Sequence, residues 1–294
     1  MEEKLKVTAS LCMWCDLLGY GAPFIKSKWR LNTNDALKNL KRIDKLKFSL
    51  SQIYSYPLER ILLLNDGFIR NVDALNITMP QLYLYWLRGI LIGYYHINSQ
   101  DCADGNPGAR AILTVGERFS YLSDTVTEGD ITQATSERKS ELSKNILVYS
   151  PKEFQMNTAF SKAYIMEESG SEAGLYGKYL YIDYDFLIAI ENLMKNKPSH
   201  YLLIDNPEID HEPEIGEWVE YNINEEPVKF DFDFVGDSEQ FVWSVYHTVQ
   251  GERELLFQLF FDKQPVEYNN KGIETTIYRT IKFKWNKDEL ISLV

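Results

Sequence analysis

Apolar residues recur along this chain in two patterns, one with the period of a helix and one with the period of a strand. Helical spacing predicts helices over residues 36–54, 79–97, 151–169 and 184–195. Short apolar or alternating runs predict strands over 6–17, 60–64, 68–72, 109–115, 146–149, 179–182 and 201–204. Between these runs, residues 123–144 are polar without a strong period, which indicates a long loop.

The order of these elements predicts the fold class. A strand, a helix, a hairpin, a helix and then further strands and helices are typical of an α/β sandwich, with helices packed on a central, mostly antiparallel sheet. After Asp205 the pattern changes, because residues 206–216 are rich in proline and acidic residues and residues 217–285 alternate at period two. We therefore expect two domains, an α/β domain over 1–205 and an all-β domain over 206–294.

Composition restricts the classes of partner. The 294 residues are 45% hydrophobic, which suits a packed core, and carry a net charge of −12, which disfavours a general nucleic-acid binder. A nucleotide remains possible where metal ions supply positive charge. The start, MEEKLKV, lacks a signal-peptide pattern, and the most apolar run, 82–95, is too short to span a bilayer. We expect a soluble, cytoplasmic protein with neither a membrane nor a nucleic acid as partner.

The three cysteines do not indicate a disulfide framework. Cys12 and Cys15 form a CxxC motif inside the first predicted strand, where side chains three positions apart point to opposite faces. No second cysteine pair follows. We expect both to be core residues, and not a redox or metal site.

Two aspartates at predicted strand ends are the candidate chemical groups. Asp16 ends the first strand, directly before a turn that contains Gly19 and Gly21, and Asp66 lies in the Asn-Asp-Gly turn of the hairpin. Divalent cations such as Mg²⁺ prefer carboxylate oxygens, and a glycine turn can offer backbone N–H groups to phosphates. The pair therefore predicts a metal site beside a phosphate site. The alternative for Asp66 is an ordinary turn residue.

These residues resemble the class III nucleotide cyclases. The segment DLLGY (16–20) is similar to the family's first metal-binding strand, and NDG (65–67) is similar to its second metal-binding turn. In QMNTA (155–159), Asn157 matches the family's ribose-contacting asparagine. The family's arginine four residues later is Ser161 here. The transition-state positive charge would then come from Lys162, Arg110, Lys152 or Lys178.

The resemblance implies roles for the residues around this site. Asp16, Asp66 and the carbonyl of Leu17 would hold two Mn²⁺ or Mg²⁺ ions, and the ribose 3′-hydroxyl would attack the α-phosphorus. Asn157 of a second subunit would orient the ribose, which implies a homodimer with composite active sites. The residues expected to contact the phosphates are Leu18, Gly19, Tyr20 and Gly21, and those expected to stack on the base, or to be core aromatics, are Tyr54, Tyr56 and Phe68.

Two positions that read a purine base in the family are changed. Leu62 replaces a Lys or Glu, and Ser150 replaces an Asp or Cys, so a purine edge would be left with unpaired groups at about 1–3 kcal/mol each. With the segment 151–183 and the β-rich carboxyl-terminal region, this resembles the pyrimidine cyclases of Pycsar antiphage systems. That resemblance implies UTP or CTP as substrate, a cyclic-nucleotide effector protein downstream, and a sensor role for the carboxyl-terminal region.

Other functions remain open at this point. A degenerate cyclase domain could bind a nucleotide and signal without turnover, because the family's arginine is replaced. A purine nucleotide cyclase and a polymerase-like palm that makes oligonucleotides are further alternatives, since both use related two-aspartate chemistry.

Overall fold

A computed structural model describes residues 6–53, 59–120, 131–133, 147–149, 154, 156–197, 199–204, 219–222, 227–249, 251–285 and 290–293. The helices are α1 (Ala22–Lys26), α2 (Asn34–Gln52), α3 (Gln81–Ala103), α4 (Thr158–Ser169) and α5 (Tyr184–Lys195). The strands are β1 (Lys6–Leu17), β2 (Arg60–Leu64), β3 (Gly67–Asp73), β4 (Ala109–Ser120), β5 (Ile131–Gln133), β6 (Leu147–Tyr149), β7 (Leu180–Asp183), β8 (Tyr201–Ile204), β9 (Val219–Asn222), β10 (Lys229–Gly236), β11 (Gln240–Val249), β12 (Glu252–Asp262), β13 (Val266–Asn270), β14 (Ile273–Trp285) and β15 (Ile291–Ser292).

One large sheet organises the described residues. Its strands follow the order β10-β11-β12-β14-β7-β4-β1-β3-β2, with β13 and β15 paired to β14. Every pair in this sheet is antiparallel except β4 with β7. Helices pack on this sheet, which confirms the predicted α/β sandwich with a mostly antiparallel sheet.

Strand β1 shows why both faces of the sheet are covered. Leu11, Met13 and Cys15 alternate into the main core, which also contains buried residues of α2, α3 and α5. Cys12 and Trp14 point to the opposite face, where they pack against α4. Both cysteines are fully buried, and burial raises the pKa of each thiol above its ordinary value. The prediction of two core cysteines on opposite faces is confirmed.

The described elements after β8 are all strands, as the alternating pattern predicts. Strand β14 pairs with β7, which places Ile277 opposite Asp183 and joins the carboxyl-terminal strands to the same sheet. Phe257 and Phe283 from these strands belong to the main core together with α3 and α5. The predicted boundary at 205/206 lies outside the described residues, and the division into two domains stays a prediction.

The starts of the helices differ from the pattern except at α5, and α2 and α3 begin at Asn34 and Gln81 against the predicted residues 36 and 79. The short helix α1 is absent from the sequence prediction. Helix α4 begins at Thr158, later than the predicted residue 151, because Asn157 is its N-cap and its side chain accepts a hydrogen bond from the Phe160 N–H at 3.1 Å. Among the residues described, none of the helices is long and apolar enough to cross a membrane.

Candidate active site

The two predicted metal-binding aspartates lie at one edge of the sheet, where β1 ends beside the β2–β3 turn. Asp16 is paired in register with Gly67, and the Leu17 N–H donates to the Asp66 carbonyl at 3.1 Å. Asn65 has a φ of 57° and forms the tight turn with Asp66, and its side-chain amide donates to Asp66 Oδ1 at 3.0 Å. The backbone thus holds the segment carrying Asp66 against the end of β1.

The charges at this edge repel one another. Burial, followed by the negative charges of Glu167 and Asp66, raises the pKa of the Asp16 carboxyl from its ordinary 3.8 to about 7. Arg110 and Arg42 oppose this increase. Burial also raises the pKa of Asp66, although hydrogen bonds from its own backbone and from Asn65 lower it. A cation bound here would relieve the repulsion between the carboxylates.

Side chains supply only part of the oxygen ligands that a hard divalent cation needs at this site. Within the described ranges, no group of three or more His, Cys, Asp and Glu side chains is arranged to hold a metal ion. Asp16 and Asp66 would therefore need backbone carbonyls, substrate oxygens or water to complete the coordination, as Mg²⁺ commonly does. The oxygen chemistry and the raised pKa of both carboxyls fit such an ion.

Arg110 lies beside Asp16 and is held by α4. It is paired with Asp16 across β1 and β4, so both side chains are on one face of the sheet. Its guanidinium donates to Glu167 Oε1 through Nη2 at 2.5 Å and through Nε at 3.0 Å, and to the Leu175 carbonyl at 2.8 Å. Glu167 has no counterpart in the predicted site, because nothing in the local sequence indicates that it approaches Arg110.

The predicted phosphate-binding turn, residues 18–21, is anchored at both ends. The Leu18 N–H donates to the Gly108 carbonyl at 2.9 Å, and the Tyr20 carbonyl accepts from Asn39 Nδ2 at 2.7 Å. Gly19 has a φ of 70°, which few other residues adopt without strain, and Gly21 precedes α1. The Tyr20 hydroxyl donates to Asn65 Oδ1 at 3.3 Å, so this turn also contacts the hairpin turn that carries Asp66.

The sheet face next to Asp16 carries an aromatic cluster. Trp14 contacts Phe160 and Tyr164 of α4, with ring centroids 6.0 and 5.4 Å apart. Leu62, the predicted base-reading position, is half-buried and packs against the apolar cluster that contains Trp14 and Ile69. A polar Lys or Glu at position 62 would be placed in apolar surroundings.

Several predicted residues have other contacts in this chain. Phe68 is 1% exposed in the main core, which agrees with the core alternative and not with stacking on a base. Lys162 donates to the buried carboxylate of Asp183 at 3.0 Å, away from Asp16. Asn157 is 2% exposed, and its amide donates to Asn71 Oδ1 at 2.9 Å and Ser10 Oγ at 3.2 Å. Lys178 is exposed and donates to Cys102 Sγ at 3.3 Å. Tyr54, Tyr56, Ser150 and Lys152 lie outside the described residues.

Comparisons with known proteins give weak structural similarity alone. No protein-family model and no curated protein matches the chain. Among solved structures it is similar to the adenylyl cyclase CyaB from P. aeruginosa, with a TM-score of 0.42 and 8% identity over 97% of this chain and 99% of that one. It is also similar to the guanylyl cyclase Cya2, with a TM-score of 0.41 and 11% identity over 99% of both chains. A bacterial light-regulated adenylyl cyclase has a TM-score of 0.39 and 10% identity over 69% of this chain and 50% of its own length. Likeness at these TM-scores assigns neither a family nor an activity.

Proposed function

We propose that this protein is a nucleotidyl cyclase that converts a nucleoside triphosphate to a 3′,5′-cyclic nucleotide and pyrophosphate. The observation that supports this most is the placement of Asp16, near the end of β1, beside the turn that carries Asp66, where burial raises the pKa of both carboxyls. Divalent cations stabilise such a pair of carboxylates, and nucleoside triphosphates bind divalent cations. In the reaction the ribose 3′-oxygen loses its proton, forms a bond to the α-phosphorus and displaces pyrophosphate in line.

The chain's own residues divide the work of binding and orientation. Asp16, Asp66 and the Leu17 carbonyl would hold Mn²⁺ or Mg²⁺, which when bound offsets phosphate charge and lowers the pKa of the 3′-hydroxyl. The backbone of residues 18–21 would hold the β- and γ-phosphates. Arg110, on the same sheet face as Asp16, would contact the triphosphate after leaving Glu167.

A composite active site in a homodimer belongs to the same proposal. Asn157 contacts Ser10, which precedes Asp16 by six positions on β1, or roughly 20 Å at the rise of an extended strand. At that separation Asn157 and Asp16 can contribute to one active site only if they belong to different subunits. Its amide would also have to leave Asn71 and Ser10 to contact a ribose.

The proposed substrate is UTP or CTP. Leu62 packs against the apolar cluster that contains Trp14 and Ile69, and its side chain offers no hydrogen bond to the edge of a purine base. The resemblance to Pycsar pyrimidine cyclases extends the proposal to antiphage defence, with the cyclic nucleotide acting on a separate effector protein. The same resemblance adds to the proposal a sensing role for the carboxyl-terminal strands. It also adds a location in the cytoplasm.

Paired substitutions test the proposed catalytic site. Asp16→Asn and Asp66→Asn should each abolish pyrophosphate release from an equal mixture of UTP and CTP with Mn²⁺, while the circular dichroism spectrum stays unchanged. Asp44→Asn changes an exposed aspartate on α2 and should leave the rate unchanged. Full activity in a folded Asp16→Asn protein would exclude the proposed site.

A binding protein without turnover is the second candidate. It is favoured by the contacts of Asn157 and Lys162, both of which are engaged by their own chain. Such a protein would bind a nucleotide and Mn²⁺ with Asp16 and Asp66, but release no pyrophosphate. Isothermal titration with UTP and CTP, run beside the pyrophosphate assay, separates the two functions.

A further inference from the structure

The buried face of α2 carries two polar side chains among its apolar ones. Asn39 and Arg42 are 5% and 7% exposed, one helical turn apart, on the same side of the helix as the buried Leu46. Buried polar groups are costly unless they are hydrogen-bonded. Asn39 is bonded to the turn at residues 18–21, and Arg42 is bonded to Asp101 and to Gly108, whose carbonyl contacts that turn.

Arg42 forms a buried ion pair with α3. Its Nε and Nη2 donate to Asp101 Oδ1 and Oδ2, each at 2.7 Å, and the two side chains are 6% and 7% exposed. This bidentate arrangement fixes the guanidinium plane as well as its position. The pair therefore fixes the position of α2 relative to α3 near the end of β1.

The ion pair holds Gly108 from two sides. Asp101 Oδ2 accepts the Gly108 N–H at 3.0 Å, and Arg42 Nη2 donates to the Gly108 carbonyl at 3.3 Å. The same carbonyl accepts the Leu18 N–H at 2.9 Å. Gly108 has a φ of 91°, and a Cβ there would lie 2.4 Å from Asn98 Oδ1, so only glycine fits this position.

The other end of the turn is held by the same helix. Asn39 Nδ2 donates to the Tyr20 carbonyl at 2.7 Å, and Asn39 lies one helical turn before Arg42. Helix α2 thus fixes Leu18 indirectly, through Gly108, and Tyr20 directly. The backbone conformation of residues 18–21 therefore depends on the side chains of Asn39, Arg42 and Asp101, which lie outside the turn.

We propose that Asn39, Arg42 and Asp101 are positioning residues that hold the turn at 18–21 in the conformation that receives a polyphosphate. This inference rests on the proposed function for the identity of the ligand. It adds three residues, none of which would contact the substrate. Because the turn would bind the phosphates alike in the ground state and the transition state, loss of its shape should raise KM more than it lowers kcat.

Binding of inorganic tripolyphosphate with Mg²⁺ tests this proposal without requiring turnover. The variants are Asn39→Ala, Arg42→Lys and Asp101→Asn, measured by isothermal titration well below their melting temperatures. We expect each to weaken tripolyphosphate binding by about tenfold, since small misplacements of binding groups have effects of this order. If the chain cyclises UTP or CTP, KM should rise by a similar factor while kcat falls by less.

Glu59→Gln is the matched control. Glu59 makes an equally buried, bidentate pair with Arg70, at 2.7 and 2.9 Å, and none of the contacts that the structure gives this pair is to residues 18–21. It should lower thermal stability as Asp101→Asn does, but leave the tripolyphosphate affinity unchanged. Asn39→Ala removes no charge and decides the result if an ion-pair variant does not fold.

The outcomes separate this inference from the proposed function. Wild-type affinity for tripolyphosphate in folded Asn39→Ala and Asp101→Asn proteins would overturn the positioning role, as would an equal loss in Glu59→Gln. Absence of tripolyphosphate binding by the wild-type chain would overturn it as well. Binding that these variants weaken, without any cyclic product from the wild-type chain, would support the positioning role and contradict the cyclase function.

Discussion

Asp16 and Arg110 lie directly opposite each other across the β1–β4 ladder, yet the shortest hydrogen bond of Arg110 is to Glu167, at 2.5 Å. Glu167 thus competes with Asp16 for Arg110. The result is an edge of the sheet where acidic charge exceeds basic charge, which suits a site for cations.

Removing the charge of Glu167 should change the titration of Asp16. Burial contributes most to the raised pKa of Asp16, and the negative charge of Glu167 makes the next largest contribution. We expect Glu167→Gln to lower the pKa of Asp16 below about 7, because the negative charge is gone and Arg110 is released toward Asp16. The measurement is a ¹³C carboxyl titration by NMR of the metal-free protein. An unchanged pKa for Asp16 would show that Glu167 does not act on it.

Ionisation of Asp16 should make the metal-free protein less stable as the pH rises from about 4 to about 7 than it would be without this group. The folded-state pKa of Asp16 is about 7 against an ordinary 3.8, so in this window the folded protein holds a proton that the unfolded chain has released. Below the window both states are protonated, and above it the penalty is constant. Chemical denaturation at several pH values, in chelator, measures this. Asp16→Asn should flatten the dependence, and an identical profile in that variant would contradict the assignment.

Divalent cations should reverse this trend. A bound ion requires the ionised carboxylates, so its stabilising effect should grow as the pH rises through about 7 and its binding should release protons. Titration of Mn²⁺ in buffers of different ionisation enthalpy measures the protons released. Release that is undiminished in Asp16→Asn would place the ion elsewhere.

Gly108→Ala should be more destabilising than Gly105→Ala. Both glycines have positive φ, 91° and 80°, so alanine costs about 1–2 kcal/mol at either position. At Gly108 the new Cβ would also lie 2.4 Å from Asn98 Oδ1, whereas Gly105 has open space. We expect an additional cost of about 1–3 kcal/mol at Gly108 from overpacking. Urea denaturation gives both values, and equal losses would mean that the neighbours of Gly108 move aside freely.

The segment 1–205 should not fold stably when expressed alone. It would lose the pairing of β7 with β14 and the contact of Tyr85 with Trp285, whose rings are 4.6 Å apart. An exposed strand edge and an open core favour aggregation. The measurement is the dispersion of amide signals in an NMR spectrum of the segment. A dispersed spectrum with Mn²⁺ binding intact would support two independent domains.

Local patterns were sufficient to predict much of the fold. The bounds of β1, β2, α5 and β8 match the sequence prediction, because each has a clear apolar period bounded by turn residues. The join between β7 and β14 was not predictable, since strand register across distant segments depends on tertiary packing.

The acidic residues of the candidate site could be predicted from the sequence, but the residues around them could not. Asp16 ends an apolar run directly before a turn, and Asp66 lies in the turn that follows an apolar run, and both are local signals. Glu167 and Asp101 act through Arg110 and Arg42, which are remote in sequence. The available signal was Arg42 itself, at helical spacing with the apolar face of α2, where a buried arginine requires a partner.

The cyclase function is tested most directly by the products formed from ATP, GTP, CTP and UTP, each incubated separately with Mn²⁺ and analysed by mass spectrometry. We expect cyclic UMP or cyclic CMP from the unmodified chain and neither from a folded Asp66→Asn variant. A linear or cyclic oligonucleotide, a product formed equally by Asp66→Asn, or the absence of any cyclic mononucleotide from all four substrates would contradict it.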